Sequence, residues 1–218
     1  MLSSKKGCIM SNVKAKHQKL KIMFFQKLLA SLETNNWSER IIKDIELELD
    51  VTLGYYHILF PNGLLEIVSS FEEWLDHNMI EQLKTITRPT KIRDQIALAL
   101  VTRIINISAK NVALNTCSFL WLPSNIAAGF KINGRTCDVI WRYAGDKSTD
   151  FNYYSKRGLL LGVYKAAQAF YFVDNSRNHQ DTVHFIKNSL DRIINIASLK
   201  SKIKWPNKED VPIIRLFS

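Results

Sequence analysis

The sequence predicts an all-α protein, and three observations support this class. Apolar residues recur three or four positions apart in nearly every segment, which is the period of an amphipathic helix. Only eight glycines and five prolines occur in 218 residues, too few for a turn-rich β fold. No alternating run bounded by turn residues competes, since the hairpin-like Asn133-Gly134 pair has flanks that do not alternate.

The N-terminal third predicts two short helices joined by a tight turn. Ser38 caps a helix that runs to about Leu49, and "VTLGYYHILF" (51–60) forms the second helix before a Phe-Pro-Asn-Gly exit. This order resembles the helix-turn-helix entry of TetR-type repressors, although an ordinary orthogonal helical cap fits the same pattern. Five acidic and two basic residues occupy 38–60, and none of them lies in 51–60. Such a surface repels phosphates, so we expect no nucleic-acid binding.

Three long helices follow, each with one apolar face. The first spans residues 64–83, the second opens with Pro89-Thr90, and the third starts near Asp181 and ends by about Lys204, ahead of proline. Their periodic apolar residues are Leu64, Val68, Phe71, Leu75, Met79 and Leu83; Ile92, Ile96, Leu100, Ile104 and Ile107; and Val183, Ile186, Leu190, Ile194 and Ala197.

The stretch "AGDKSTDFNYYSKRG" (144–158) separates two further helical runs. Gly145 is suited to end the first helix, and one of three polar residues caps the second: Ser148, Thr149 or Asp150. Three aromatic residues crowd the first turn of that second helix: Phe151, Tyr153 and Tyr154. Because one helical stripe cannot bury all three, at least one of them faces outward.

Composition fits one globular domain with a sizeable core, since 46% of residues are hydrophobic. The formal charge of +10 permits nucleic acid, anionic lipid or an acidic protein as partner. The three cysteines, Cys8, Cys117 and Cys137, form no Cys-x-x-Cys pair, which favours a reducing compartment and small apolar roles. The longest apolar run, 159–173, is too short to span a bilayer and contains Lys165, so we expect a soluble or peripheral protein.

Several blocks of the sequence resemble the coenzyme Q biosynthesis accessory family, the ninth Coq protein of yeast and animals. These blocks are "RPTKIRDQI", "DVIWRYAGDKSTDFNYYSKRGLLLGVY" and "DNSRNHQDTVHFIKNSLDRI", with "AGDxSTDFNxY" the most specific; "NWSERIIKDIELEL…LFPNG" also looks like the family. The likeness covers roughly residues 35–197. It implies a TetR-like all-α homodimer that is not an enzyme and does not bind DNA. It also implies an isoprenoid or quinone-type lipid in an apolar pocket, presented to the membrane-bound di-iron demethoxyubiquinone hydroxylase.

The resemblance further implies that the 144–158 turn and the start of the next helix form an exposed patch that docks the hydroxylase. Its members in this chain would be Asp138, Ile140, Trp141, Ala144, Asp150, Asn152, Tyr153, Tyr154 and Arg157. The family usually has Trp at the position of Tyr153, a departure that bears on partner affinity. Some members end in a membrane-inserting helix, whereas two prolines interrupt the tail here. Its residues Lys200, Lys202, Lys204 and Trp205 fit either a peripheral contact with an anionic membrane or a solvated tail.

Small residues recur every fourth position at Gly158, Gly162 and Ala166, which lets a second helix approach closely. With the helix from about Asp181 they would form a four-helix dimer interface, and packing within one monomer is the alternative. We expect a basic segment and first helix over 1–34, a degenerate helix-turn-helix over 35–63, a lipid-binding and dimerisation core over 64–200, and a basic tail over 201–218.

No residue pattern predicts catalysis, a metal or a cofactor. Glu73 and His77 are four apart, and His179 and His184 are five apart, so neither pair has the Glu-x-x-His spacing of a di-iron bundle. The alternatives are a TetR-type transcription regulator with an apolar effector and a structural dimer without ligand. The first arginine is Arg40, which is unlike an Arg-rich presequence. We therefore expect a bacterial cytoplasm or the cytoplasmic face of the inner membrane, with the matrix side of the mitochondrial inner membrane as the alternative.

Overall fold

The computed structural model describes residues 2–146 and 151–200, with side chains described for 17–146 and 154–193. Regular structure in this part of the chain is entirely helical, which confirms the predicted all-α class. The helices are α1 (Leu2–Ser31), α2 (Glu39–Glu48), α3 (Tyr56–Leu59), α4 (Leu64–Lys84), α5 (Ile92–Val101), α6 (Lys110–Leu120), α7 (Ile126–Tyr143), α8 (Phe151–Val173) and α9 (Gln180–Lys200). A π-helical turn, Thr102–Asn106, continues α5, and a 3-10 turn, Arg177–His179, precedes α9. The TetR-like arrangement and the domain division stay predictions.

Two helix ends follow the predicted capping chemistry. The Ser38 hydroxyl accepts a hydrogen bond from the Ile41 N–H over 3.4 Å, as expected of an N-cap. Gly145 has φ +87° beyond the end of α7, and its N–H donates to the Arg142 carbonyl. The N–H of Asp146 donates to the Trp141 carbonyl, which completes a Schellman turn. The predicted caps of α8 at 148–150 lie outside the described residues.

The second short helix is smaller than predicted, since α3 covers only Tyr56–Leu59 of the expected 51–60. The buried carboxylate of Glu46 accepts hydrogen bonds from the N–H groups of Gly54 and Tyr56, over 2.9 and 2.7 Å. Gly54 itself has φ +85°. These contacts hold the segment before α3 in turns, because its N–H groups bond a side chain instead of a preceding helical carbonyl.

Helix α5 also begins later than predicted, at Ile92, and Ile92 is exposed. The Gln95 side chain donates to the Pro89 carbonyl over 2.7 Å, so the residues after the proline form a bonded turn. At the other end the Ile107 N–H bonds the Thr102 carbonyl, five residues back, and Ile104 remains buried through this π turn.

Two apolar clusters form the interior. The first packs α1, α2 and α3 against the beginning of α4 and against α6, with Phe25, Trp37 and Phe71 among its rings. The second joins the end of α4, which contributes Met79, to α5, α7, α8 and α9. Helices α4 and α7 contribute to both clusters. The part of α7 and α8 that carries the predicted sites therefore rests on the second cluster.

Among the described residues, no single helix has both the length and the hydropathy needed to cross a bilayer. A bent pair, Ile92–Asn106 with Lys110–Leu120, passes that test by length and composition when its halves are added across a 97° bend. Each half also contributes side chains to the apolar interior: Leu100 belongs to the second cluster and Val112 to the first. Core helices commonly reach the same composition, so the pair is weak support for a membrane span. The predicted tail beyond Lys200 lies outside the described residues.

Candidate functional site

An open apolar groove of about 380 Å³ lies between the end of α6, the beginning of α7 and the middle of α8. Its lining is apolar or glycine except for two polar side chains, Asn133 and Lys165. The lining residues are Leu120, Trp121, Ile126, Gly129, Phe130, Asn133, Gly158, Leu161, Gly162 and Lys165. Small-molecule binding sites are usually concave and apolar, with a small number of polar groups.

The close crossing of α6 and α7 forms one end of this groove. A Cβ atom at Gly129 would stand only 3.2 Å from the Leu120 carbonyl oxygen, so glycine allows the two helices to cross this closely without a shift of α6. The Asn125 side chain donates to the Phe119 carbonyl over 3.0 Å and ties the connecting loop to the end of α6. The sequence thus fixes this wall locally, by one small residue and one loop hydrogen bond.

Large apolar side chains stand exposed at the rim of the groove. Trp121 and Phe130, both in the lining, are each 63% exposed. Contiguous exposed apolar surface of this kind marks ligand or partner sites. Sequence periodicity does not predict this rim. The spacing of apolar residues is the same whether an aromatic side chain near a helix end packs in the core or faces solvent.

Two members of the predicted small-residue ladder, Gly158 and Gly162, line the groove, and the third, Ala166, lies one turn further along α8. Gly158, Gly162 and Ala166 are exposed, and a Cβ atom at either glycine would meet no described atom within 4 Å. The alternative of close packing within one monomer is therefore wrong for the two glycines. The dimer interface at these residues stays a prediction.

The predicted docking patch is organised by ion pairs between the end of α7 and the start of α8. Arg157 donates to Asp138 over 2.7 Å and to Asp146 over 3.2 Å, and Lys156 bonds Asp146 over 2.7 Å. The Trp141 indole N–H donates to the Lys156 carbonyl over 3.1 Å. These contacts fix the first turns of α8 against α7.

The outward aromatic predicted from the sequence is Tyr154, which is 73% exposed. Two other members of the predicted patch, Ile140 and Ala144, are buried, so the expectation that they lie on an exposed surface is wrong. They continue the inward face of α7 from Cys137, at the helical spacing of three and four residues. Arg157 is also largely buried. Asp150 lies outside the described residues, as do the side chains of Asn152 and Tyr153.

The α2–α3 corner, which the sequence predicts to be a degenerate helix-turn-helix, exposes apolar side chains. Leu53 and Ile58 are exposed, by 61% and 67%. The Tyr56 hydroxyl donates to the Glu39 carboxylate, and this bond, aided by burial, raises the pKa of Tyr56 to about 12. No lysine or arginine occurs in 51–60. Residues 51–60 thus lack the cations that phosphate contacts require, and the only two in 38–60, Arg40 and Lys43, lie on α2.

Within the described residues, no group of three His, Cys, Asp or Glu side chains is arranged to hold a metal ion. Cys137 is buried, and burial raises the pKa of its thiol to about 12, with the nearby Asp76 adding to the effect. Cys117 is half-buried beside the groove, 3.7 Å from the Lys165 ammonium. The Cys8 side chain lies outside the described residues.

Fold and groove together define an all-helical protein with an open apolar groove beside an ion-paired turn. The COQ9 family model matches residues 126–197, which contain most of the groove lining and the whole turn. Ubiquinone biosynthesis protein COQ9 of Rattus norvegicus is 34% identical over 191 residues, covering 81% of this chain and 60% of the rat protein. COQ9-A of Xenopus laevis is 35% identical over 173 residues, covering 74% of this chain and 53% of that protein. The chain belongs to the COQ9 family.

The matched relatives are longer than the matched region, and the chain spans about 60% of the rat protein. The human COQ9 match covers 40% of this chain and 27% of the human protein, at 33% identity. These three relatives are the mitochondrial proteins of their organisms by name. The expected bacterial location has no support from them, and they are consistent with the mitochondrial alternative.

Proposed function

We propose that this protein serves ubiquinone biosynthesis as a non-enzymatic lipid-binding accessory protein on the matrix side of the mitochondrial inner membrane. In this proposal it binds an isoprenoid or quinone-type lipid and presents the quinone precursor to the di-iron demethoxyubiquinone hydroxylase. The names of the COQ9 relatives support the pathway. The observation that carries the lipid-binding step is the open apolar groove between α6, α7 and α8.

The groove has the apolar chemistry that part of a prenyl chain requires. Its volume of about 380 Å³ lies within the range of small-molecule sites, and its walls are mainly apolar. Burying an apolar chain there would also cover part of the exposed Trp121 and Phe130 rings at the rim. Because the groove is open to solvent along α8, a bound lipid would remain accessible to a partner protein.

The groove and the proposed docking patch share one face of α8, which supports presentation of the lipid to a partner. Tyr154 of the patch and Gly158 of the groove are four residues apart, so they are neighbours on consecutive turns. A hydroxylase docked at Tyr154 would lie beside the mouth of the groove. Lipid transfer between the two proteins would then need no large movement of α8.

A TetR-type transcription regulator with an apolar effector is disfavoured by the α2–α3 corner. An effector could occupy the same groove, but the corner exposes Leu53 and Ile58 and carries no lysine or arginine over 51–60. Salt-dependent binding to duplex DNA would revive this alternative, because phosphate contacts release counterions. The other alternative, a structural dimer without ligand, predicts a collapsed pocket, whereas this groove is open.

The proposal is tested by mass spectrometry of the organic extract from the purified full chain. We expect an isoprenoid quinone or its precursor in the wild type, and loss of that lipid in Gly162→Trp, whose ring would fill the groove. Gly134→Trp is the matched control, because Gly134 is on α7 outside the groove and also has no described atom within 4 Å of its Cβ position. Recovery of incidental phospholipid alone, after exposure to quinone precursors, would contradict the proposal.

A further inference from the structure

We propose that Lys165 recognises the head group of the lipid in the groove, and that the site selects amphipathic lipids whose head carries an acidic oxygen. This inference rests on the proposed function, since it assigns a head-group contact within the same groove. Lys165 is the one ionisable side chain in the lining, and it lies on α8 one turn beyond Leu161. The other polar lining residue, Asn133, lies beside it on α7.

The Lys165 ammonium has weak partners for two of its three N–H groups. Its nitrogen is 2.5 Å from the Gln168 side-chain oxygen, but 3.4 Å from the Asn133 oxygen and 3.7 Å from the Cys117 sulfur. A thiol sulfur is a poor acceptor, and 3.4 Å is beyond the usual range of a good N–H···O bond. An oxygen of a bound head group could therefore take a stronger bond than either contact supplies.

The charge of Lys165 is also uncompensated within the described residues. No Asp or Glu oxygen there lies within 4.0 Å of its nitrogen. The ring of Tyr164, 5.5 Å from the nitrogen, offers only a cation–π contact. A cation among apolar walls favours a ligand that brings negative charge, because charge-assisted hydrogen bonds are stronger where water is excluded.

The surrounding amide groups hold Lys165 in position for this contact. The Asn133 side-chain amide donates to the Gly129 carbonyl over 2.6 Å, which leaves its oxygen directed towards Lys165. Asn133 and Gln168 are both largely buried, so their side chains are restricted by packing. The acceptor expected of the ligand is a carboxylate or an acidic phenol oxygen at one end of an apolar chain.

The test compares the fluorescent polyene fatty acid cis-parinaric acid with cis-parinaryl alcohol, both titrated into the full chain at neutral pH below micelle formation. The two probes share one apolar chain and differ only in the charge of the head. We expect the wild type to bind the acid about tenfold more tightly than the alcohol, the size of one charge-assisted hydrogen bond. Lys165→Met should remove that preference, and Lys165→Arg should keep most of it.

Lys131→Met is the matched control, because Lys131 is an exposed lysine on α7 outside the groove, and it should bind both probes like the wild type. Equal wild-type affinity for acid and alcohol would overturn the assignment of Lys165 without needing any variant to fold. Unchanged acid binding by folded Lys165→Met would do the same. If neither probe binds the wild type, or if Gly162→Trp binds both normally, the groove itself is not the lipid site and the proposed lipid-binding function fails with it.

Discussion

Arg103 donates a hydrogen bond from Nε to the Asp76 carboxylate over 2.8 Å in the interior, where each side chain is less than 5% exposed. Arg103 also pairs with Glu72, and the Thr136 hydroxyl donates to Asp76 over 2.9 Å. These residues lie on α4, on the π turn after α5 and on α7. The network therefore ties α4 and the π turn to α7, the helix that forms one wall of the groove and precedes the turn.

Arg103→Met should destabilise the protein strongly, because it leaves two buried carboxylates without their cation. Losing one partner of a buried ion pair costs about 3–5 kcal/mol, and we expect a loss of that order in the free energy of unfolding measured in urea. Lys84→Met is the control, since its ion pair with Glu81 is on the surface and should contribute less than about 1 kcal/mol. Equal losses of unfolding free energy in the two variants would show that the buried network stabilises the fold no more than a surface ion pair does.

The sequence predicts the helices of this fold better than their interruptions. The Ser38 cap and the positive φ at Gly145 follow from local chemistry, so both are found where the pattern places them. The shortening of α3 depends on Glu46, whose carboxylate bonds N–H groups eight and ten residues further along the chain. A periodicity argument has no means of anticipating such a bond.

In the candidate site, too, local features are predictable from the sequence and tertiary features are not. Crowding three aromatic residues into one helical turn predicts that at least one faces outward, but not which, and Tyr154 is the exposed one among the described side chains. The spacing of Ile140 and Ala144 after Cys137 favours an inward face, whereas the family resemblance implies an exposed one, and the structure agrees with the spacing. The groove could not be predicted from the sequence. It depends on how α6 crosses α7 at Gly129 and on which face of α8 is not covered by another helix. Those are tertiary relations.

Asp174 should make the stability of the protein depend on pH in the acid range. This carboxylate is desolvated, which alone would raise its pKa, but hydrogen bonds from Thr182 and Ser176 outweigh burial and hold the pKa below its usual value. A lowered pKa means that the folded state binds the proton less readily than the unfolded chain. The stabilisation is therefore complete above about pH 5 and is lost as pH falls through the folded-state pKa.

Asp174→Asn should consequently lower the free energy of unfolding by about 1–2 kcal/mol at neutral pH, because the neutral amide is a weaker acceptor. The difference from wild type should shrink as pH falls below about 4, where the carboxyl of the unfolded wild-type chain becomes protonated, and it should continue to shrink until the folded carboxyl is protonated too. Urea unfolding over a pH series measures this directly. Asp44→Asn, on the exposed surface of α2, is the control and should show little difference at any pH. A gap that stays constant with pH would contradict the role assigned to the Asp174 charge.

Ala166→Arg tests the homodimer that the family resemblance implies; a dimer formed through the whole stripe of Gly158, Gly162 and Ala166 would cover the groove, and the new charge should convert such a dimer into monomers. Ala166 is exposed on α8, on the stripe that contains Gly158 and Gly162, and two-fold symmetry would bring two copies of the new charge into one interface. We expect the dimer dissociation constant to rise by about 100-fold or more, since like charges in an interface cost several kcal/mol. Sedimentation velocity over a concentration series measures the change. Ala30→Arg, at an exposed alanine on α1, should sediment like the wild type; a persistent Ala166→Arg dimer would move the interface elsewhere.

Tyr154→Asp should weaken capture of the hydroxylase while leaving the fold intact. Tyr154 is 73% exposed, so a shorter and charged side chain there disturbs no packed interior, and the melting temperature should change little. An aromatic anchor at an interface commonly contributes 2 kcal/mol or more, so we expect at least a roughly tenfold loss of affinity in a quantitative pull-down. Leu53→Asp is the matched control, because Leu53 is 61% exposed but belongs to the α2–α3 corner, away from the patch. Undiminished capture by Tyr154→Asp would exclude this residue from the docking surface, and equal losses in both variants would point to a general effect of added negative charge.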